Sequence, residues 1–131
     1  MRALYLDSSA FVKLAVEEPE TAALRGLLAG RADRRVSSAL LRTEALRAVR
    51  HLGPDALATV RDGLRRLDLV GIDDRILDTA GTLEPGVLRT LDAIHVAVAM
   101  AIGDDLEAIV TYDERMVEAA RLMGLPTVTP R

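Results

Sequence analysis

Short apolar runs that end on helix-capping residues alternate with helical segments along the whole chain, and this alternation constrains the fold more than any other feature. Ala3 to Leu6 is apolar and stops at Asp7-Ser8-Ser9, the pattern of a buried strand feeding a helix start. The predicted helices are Ser9 to Glu17, Glu20 to Ala29, Leu40 to Leu52, Pro54 to about Leu67, Asp73 to Leu83, Thr90 to Ile102 and Glu114 to Met123. Gly30, Gly53 and Gly124 close three of them, and Pro54 suits the first turn of another. Arg35 to Ser37, Leu69 to Ile72, Ala108 to Thr111 and Pro126 to Val128 read as further strands, with a turn at Glu84-Pro85-Gly86. Strands that alternate with helices pair in parallel through right-handed crossovers, so the expected architecture is α/β, a mostly parallel central sheet with helices on both faces. In such folds ligands bind beyond the carboxyl ends of the strands, which selects the polar residues to inspect.

A chain of 131 residues, half of them apolar, suits one domain spanning 1–131 with a substantial core. The net charge of −3, from 17 basic and 20 acidic side chains, excludes a basic arm that holds nucleic acid by charge alone. Tyr5, Phe11 and Tyr112 are too few aromatics for a base-stacking platform. The absence of cysteine removes disulfides, thiolate metal sites and cysteine nucleophiles, and fits a reducing compartment. Asp7 interrupts any signal-peptide core, and the most apolar stretch, Ala93 to Ile102, is far shorter than the ~20 residues of a membrane span. The expectation is a soluble, unprocessed, cytoplasmic protein with no membrane association.

Asp7 and Asp113 each follow a predicted strand, which puts both at the same rim of the sheet. Each also suits a helix N-cap, a purely structural role. Glu44 lies between Leu40 and Ala48 on its helix, at the margin of the apolar stripe, where it either faces inward or snorkels outward. Asp92 sits in a helix that is apolar on nearly every side, so its charge needs partners. The competing role there is a first-turn acid that complements the helix dipole behind a Thr90 cap. His95, three residues after Asp92, is either its hydrogen-bond partner or a satisfied core histidine; with His51 the only other histidine, a histidine zinc site is not supported. Asp73-Asp74 and Asp104-Asp105 read as helix-start and loop acids, and the hydroxyls of Ser8, Ser9 and Thr111 either assist a site or cap and turn. Arg42, Arg47 and Arg50, with Arg61, Arg65 and Arg66, are either phosphate holders or solvated faces.

If Asp7, Glu44, Asp92 and Asp113 meet at one rim, electrostatics decides what they do. Two like charges ~4 Å apart repel by about 4 kcal/mol at an effective dielectric near 20. Four unscreened carboxylates would take up protons instead, whereas a hard divalent cation such as Mg²⁺ or Mn²⁺ stabilises them ionised. The chemistry that follows is phosphodiester hydrolysis. A phosphoaspartyl enzyme of the haloacid-dehalogenase type fits poorly, because Ser9 stands where its second Asp belongs and Lys13 is the only lysine. A catalytically silent binding module, with the acids as caps, is the other alternative.

The segments Tyr5-Leu6-Asp7-Ser8-Ser9-Ala10, Arg42-Thr43-Glu44-Ala45, Leu91-Asp92-Ala93-Ile94-His95-Val96-Ala97 and Val110-Thr111-Tyr112-Asp113, followed by Met123-Gly124-Leu125, resemble in order and spacing those of PIN-domain proteins, and more narrowly the VapC-type toxins of bacterial toxin–antitoxin pairs. The likeness covers the whole length. It implies a Rossmann-like α/β/α sandwich and a Mg²⁺- or Mn²⁺-dependent endoribonuclease. The family acids fall on Asp7, Glu44, Asp92 and Asp113 as catalytic and metal-holding residues, with Thr111 at an accompanying hydroxyl position and Ser8 beside it as an auxiliary. It further implies an RNA substrate, a homodimer, and a cognate antitoxin whose C-terminal segment enters the active-site groove, often with an arginine among the acids.

Overall fold

The computed structural model describes residues 2–31, 34–84, 86 and 88–131. Strands β1 (Ala3–Leu6), β2 (Arg34–Ser38), β3 (Asp68–Val70), β4 (Leu106–Val110) and β5 (Thr127–Val128) form one sheet in the order β3-β2-β1-β4-β5. Every pairing is parallel, as the alternation with helices requires. The helices are α1 (Ser8–Ala15), α2 (Thr21–Ala29), α3 (Leu41–Val49), α4 (Pro54–Leu64), α5 (Asp74–Gly81), α6 (Thr90–Ile102) and α7 (Glu114–Leu122).

Alternate residues of the central strand face opposite layers, as a period of two dictates. Ala3 and Tyr5 pack into a core shared with α5, α6 and α7, whereas Leu4 and Leu6 pack with Ala10, Leu24 and Leu28 of α1 and α2. A third apolar cluster joins Phe11 of α1 to Leu41, Ala45 and Val49 of α3 and Val60 and Leu64 of α4. Helices therefore cover both faces of the sheet. α6 buries every residue from Ala93 to Ala99, which explains its all-round apolar character. No helix among the described residues is long and apolar enough to cross a membrane.

Boundaries differ from the sequence expectation in specific places. β4 begins at Leu106, two residues early, because Glu107 interrupts the apolar run at the irregularity where Ala3 pairs with Leu106 and Leu4 with Ala108. Several helices are shorter than predicted. α1 ends at Ala15, α4 at Leu64 and α5 at Gly81, and α3 tightens into a 3₁₀ turn over Arg50–Leu52. The predicted turn at Glu84-Pro85-Gly86 lies partly outside the described residues, at Pro85. Gly53 joins the 3₁₀ turn to α4 with φ 98° and ψ −176°, a region that side chains disfavour. Nothing stands within 4 Å of a Cβ built there, so backbone strain alone sets the cost of a replacement. Gly53→Ala is expected to destabilise the fold by about 1–3 kcal/mol, read as a shift of the urea midpoint at unchanged m-value.

Candidate active site

Each of the four acids stands at the N-terminus of a helix. Asp7 and Asp113 are the N-caps of α1 and α7, and Glu44 and Asp92 lie in the first turns of α3 and α6. Since α1 follows β1 directly and α7 follows β4, these termini gather at the carboxyl ends of the strands. Helix N-termini favour negative charge, typically by 0.3–1 kcal/mol each at exposed positions, which offsets part of the repulsion between the acids.

Asp7 is buried, only 3% exposed. Its Oδ1 accepts the Ala10 backbone N–H at 3.0 Å and the Ser9 hydroxyl at 2.7 Å, and its Oδ2 accepts the Thr111 hydroxyl at 2.6 Å. The cap and the site are thus the same residue. Burial still dominates and pushes the Asp7 carboxyl above its usual range, against the opposing pull of these bonds. An ionised carboxylate offers about four lone-pair positions, so one stays open. Thr111 also accepts the Asp113 backbone N–H at 3.1 Å, tying two of the acids through one hydroxyl. Ser9 accepts the Tyr112 N–H at 2.9 Å. It is therefore Ser9 that supports Asp7; the Ser8 hydroxyl makes no hydrogen bond among the described residues.

Asp113 turns its Oδ1 to the Arg115 backbone N–H at 2.9 Å. Asp92 is half-buried, and no hydrogen-bond donor among the described residues reaches its carboxylate. Burial raises its carboxyl first; repulsion from Asp113 comes next, His95 lowers it, and Asp7 and Glu44 raise it further. The charges of Asp113, Asp7 and Glu44 all act on Asp92 in the same direction, Asp113 the most strongly. The proposed Thr90 cap is not formed: Arg89 occupies the N-cap with no side-chain hydrogen bond.

His95 does not pair with Asp92. Its Nε2 lies 2.5 Å from Oε1 of Glu44 and its Nδ1 lies 2.5 Å from the Tyr5 hydroxyl. The partners are on α3 and β1, because the ring points into the core and not along its own helix. It is a satisfied core histidine, as one of the two readings held, but one that also holds a rim acid. Local spacing carried no sign of this, since Glu44 is 51 residues away in the chain.

Of the arginines that the sequence offers as phosphate holders, Arg42 lies in the first turn of α3, as Glu44 does. Arg42, Arg47, Arg50, Arg61 and Arg65 are exposed, and Arg65 pairs with Asp62. Arg66 lines a separate groove of about 460 Å³, with Arg25, Arg35, Phe11 and Leu28. No group of three or more His, Asp or Glu side chains among the described residues is close enough, as it stands, to chelate one ion. The donor chemistry nevertheless fits a hard cation of the Mg²⁺ type, which keeps several waters and needs only one or two carboxylates from the protein. Asp92, with no hydrogen-bond donor among the described residues and repelled by three other acids, is a group such an ion would relieve.

Residues 4–122 match the PIN domain family. The chain is 52% identical to Ribonuclease VapC46 of Mycobacterium tuberculosis over 130 residues, covering 99% of both proteins. This chain is a PIN-domain protein of the VapC family. Ribonuclease VapC35 of the same organism is 43% identical, with 97% of this chain and 96% of that protein covered. Two solved structures share the fold of this VapC chain at low sequence identity. The VapC20 toxin of Mycobacterium tuberculosis, described as cleaving the sarcin–ricin loop, has a TM-score of 0.77 at 17% identity, covering 97% of this chain and 99% of that one. VapBC2 of Rickettsia felis, bound to a DNA fragment from its promoter, has a TM-score of 0.76 at 14% identity, with 98% and 99% covered.

Proposed function

We propose that this VapC-family chain is a Mg²⁺- or Mn²⁺-dependent endoribonuclease, the toxin of a toxin–antitoxin pair, held inactive by a cognate antitoxin. The observation that carries the reading is that Asp7, Glu44, Asp92 and Asp113 stand at four helix N-termini, with no hydrogen-bond donor among the described residues on Asp92. The ribonuclease names of relatives 52% and 43% identical over nearly their full lengths support RNA as substrate. The VapBC2 assembly supports an antitoxin partner.

In this reading Asp7, Glu44, Asp92 and Asp113 are the metal-holding and catalytic residues. Asp92, the open lone pair of Asp7 and the Glu44 carboxylate would hold the ion, directly or through its waters, with Asp113 completing the acidic set. A bound Mg²⁺ or Mn²⁺ supplies a Lewis acid for the scissile phosphate and a lowered pKa for the attacking water. Ser9 and Thr111 keep the Asp7 carboxylate from rotating, by the bonds given above. A partner's arginine entering among the acids would neutralise them without supplying that chemistry. The working unit is a single domain, 1–131, that forms a homodimer in the cytoplasm.

The test is cleavage of total RNA by the purified chain. Cutting is expected with Mg²⁺ or Mn²⁺, and is expected to stop with excess chelator or on addition of the antitoxin. Full cutting in chelator would sink the metal reading. A molecular mass in solution equal to one chain would remove the homodimer.

A further inference from the structure

We infer that Tyr5 and His95 are positioning residues that hold the Glu44 carboxylate in place for a metal ion at the rim, an inference that rests on the metal-nuclease reading. The three side chains come from β1, α6 and α3, and form one hydrogen-bonded series that runs from the core to the rim. Tyr5 is fully buried in the central strand, His95 is 1% exposed, and the Glu44 side chain is 16% exposed. The two rings meet edge to face, with centroids 5.7 Å apart and planes at 76°.

The chemistry gives the series a direction. An ionised Glu44 only accepts, so Nε2–H of His95 donates to Oε1 whichever protonation state the ring adopts. The Tyr5 hydroxyl on Nδ1 then fixes the rotation of the ring from the sheet side. A core histidine needs only two polar neighbours, and backbone carbonyls would serve. Here one neighbour is a rim acid, whose Oε2 makes no hydrogen bond among the described residues and is left for another partner. Glutamate has a long side chain that sweeps a wide arc when free, so anchoring one oxygen to a residue of the rigid core places the other. With both ring nitrogens engaged, His95 is not itself a ligand.

Mn²⁺ binding, measured by titration calorimetry on the full chain, and the Mg²⁺ concentration for half-maximal RNA cleavage are the readouts. His95→Leu is expected to weaken Mn²⁺ binding by about 10–100-fold, the range for orienting partners of metal ligands, and to raise half-saturating Mg²⁺ more than it lowers the rate at saturation. His95→Gln, which places an N–H near the same point, is expected to recover most of the loss, and Tyr5→Phe to show a smaller loss in the same direction. In a Glu44→Gln background, His95→Leu is expected to cost no further Mn²⁺ affinity. Wild-type affinity in His95→Leu, or an equal loss with and without Glu44→Gln, would overturn the inference. If His95→Leu does not fold, unchanged affinity in Tyr5→Phe, or a loss in Tyr5→Phe that persists undiminished in a Glu44→Gln background, overturns it instead. A readout free of metal separates this idea from the reading beneath it. The Nε2–H proton of His95 is expected as a slowly exchanging, far-downfield NMR resonance that shifts in Glu44→Gln. A wild-type chain that binds no Mn²⁺ but keeps that resonance refutes the metal reading and retains the pairing; a resonance indifferent to Glu44→Gln refutes the positioning role.

Discussion

Asp92→Asn is expected to lower RNA cleavage by more than about a hundredfold, the upper end of what loss of a mere orienting partner costs, while making the metal-free fold more stable. The two effects share one cause. Burial and the charges of Asp113, Asp7 and Glu44 make an ionised Asp92 unfavourable, so the neutral amide removes a repulsion that the native state carries. The same repulsion would give the carboxylate its affinity for a cation. Function and stability therefore oppose each other at this position, a recurrent feature of active sites. Gel-resolved cleavage with Mg²⁺, beside urea unfolding in chelator at pH 7, measures both. Retained cleavage, or a variant less stable than the parent in chelator, contradicts the account.

Metal should reverse the pH dependence of stability. In chelator, Asp7 and Asp92 have carboxyls raised above the 3.8 of a free side chain, chiefly by burial. Between that value and the raised ones the native state binds more protons than the unfolded state. Stability from these groups therefore rises as pH falls through the window, and is complete below it. The other acids titrate too, so the quantity to read is the difference between the parent and Asp7→Asn/Asp92→Asn. With Mn²⁺ a hundredfold above its Kd, the parent is expected to gain about 2.7 kcal/mol near neutral pH, and to lose it as protons displace the ion on acidification. Melting curves with and without Mn²⁺ from pH 4 to 8 should cross in slope. Parallel curves would show that no ion binds these carboxylates.

Much of this arrangement is written locally. The bounds of α6 were predictable because Gly103, with φ 69°, ends an unbroken apolar helix that contains no competing signal. Asp7 and Asp113 were legible as helix caps, and capping is what they do; the role proposed for them beyond capping needs the strand order as well. Other features depend on contacts between distant segments. The early start of β4 is set by its pairing with Ala3, across a residue, Glu107, whose charge argues against a strand. Asp92 drew attention through its apolar surroundings, and His95 was legible as a satisfied core histidine, but which residues satisfy it was not. The imidazole reaches across to α3 and β1, a direction that only packing determines.

The central strand pairs on one side with β4, Leu6 opposite Val110, so the two ends of the catalytic rim are separated by most of the polypeptide. A copy cut short before β4 contains Asp7 and Glu44 but has neither the Thr111 hydroxyl nor Asp113, and its first strand has a bare edge. If Asp113 and Thr111 serve the site as proposed, such a copy would lack part of the machinery and would not cut RNA.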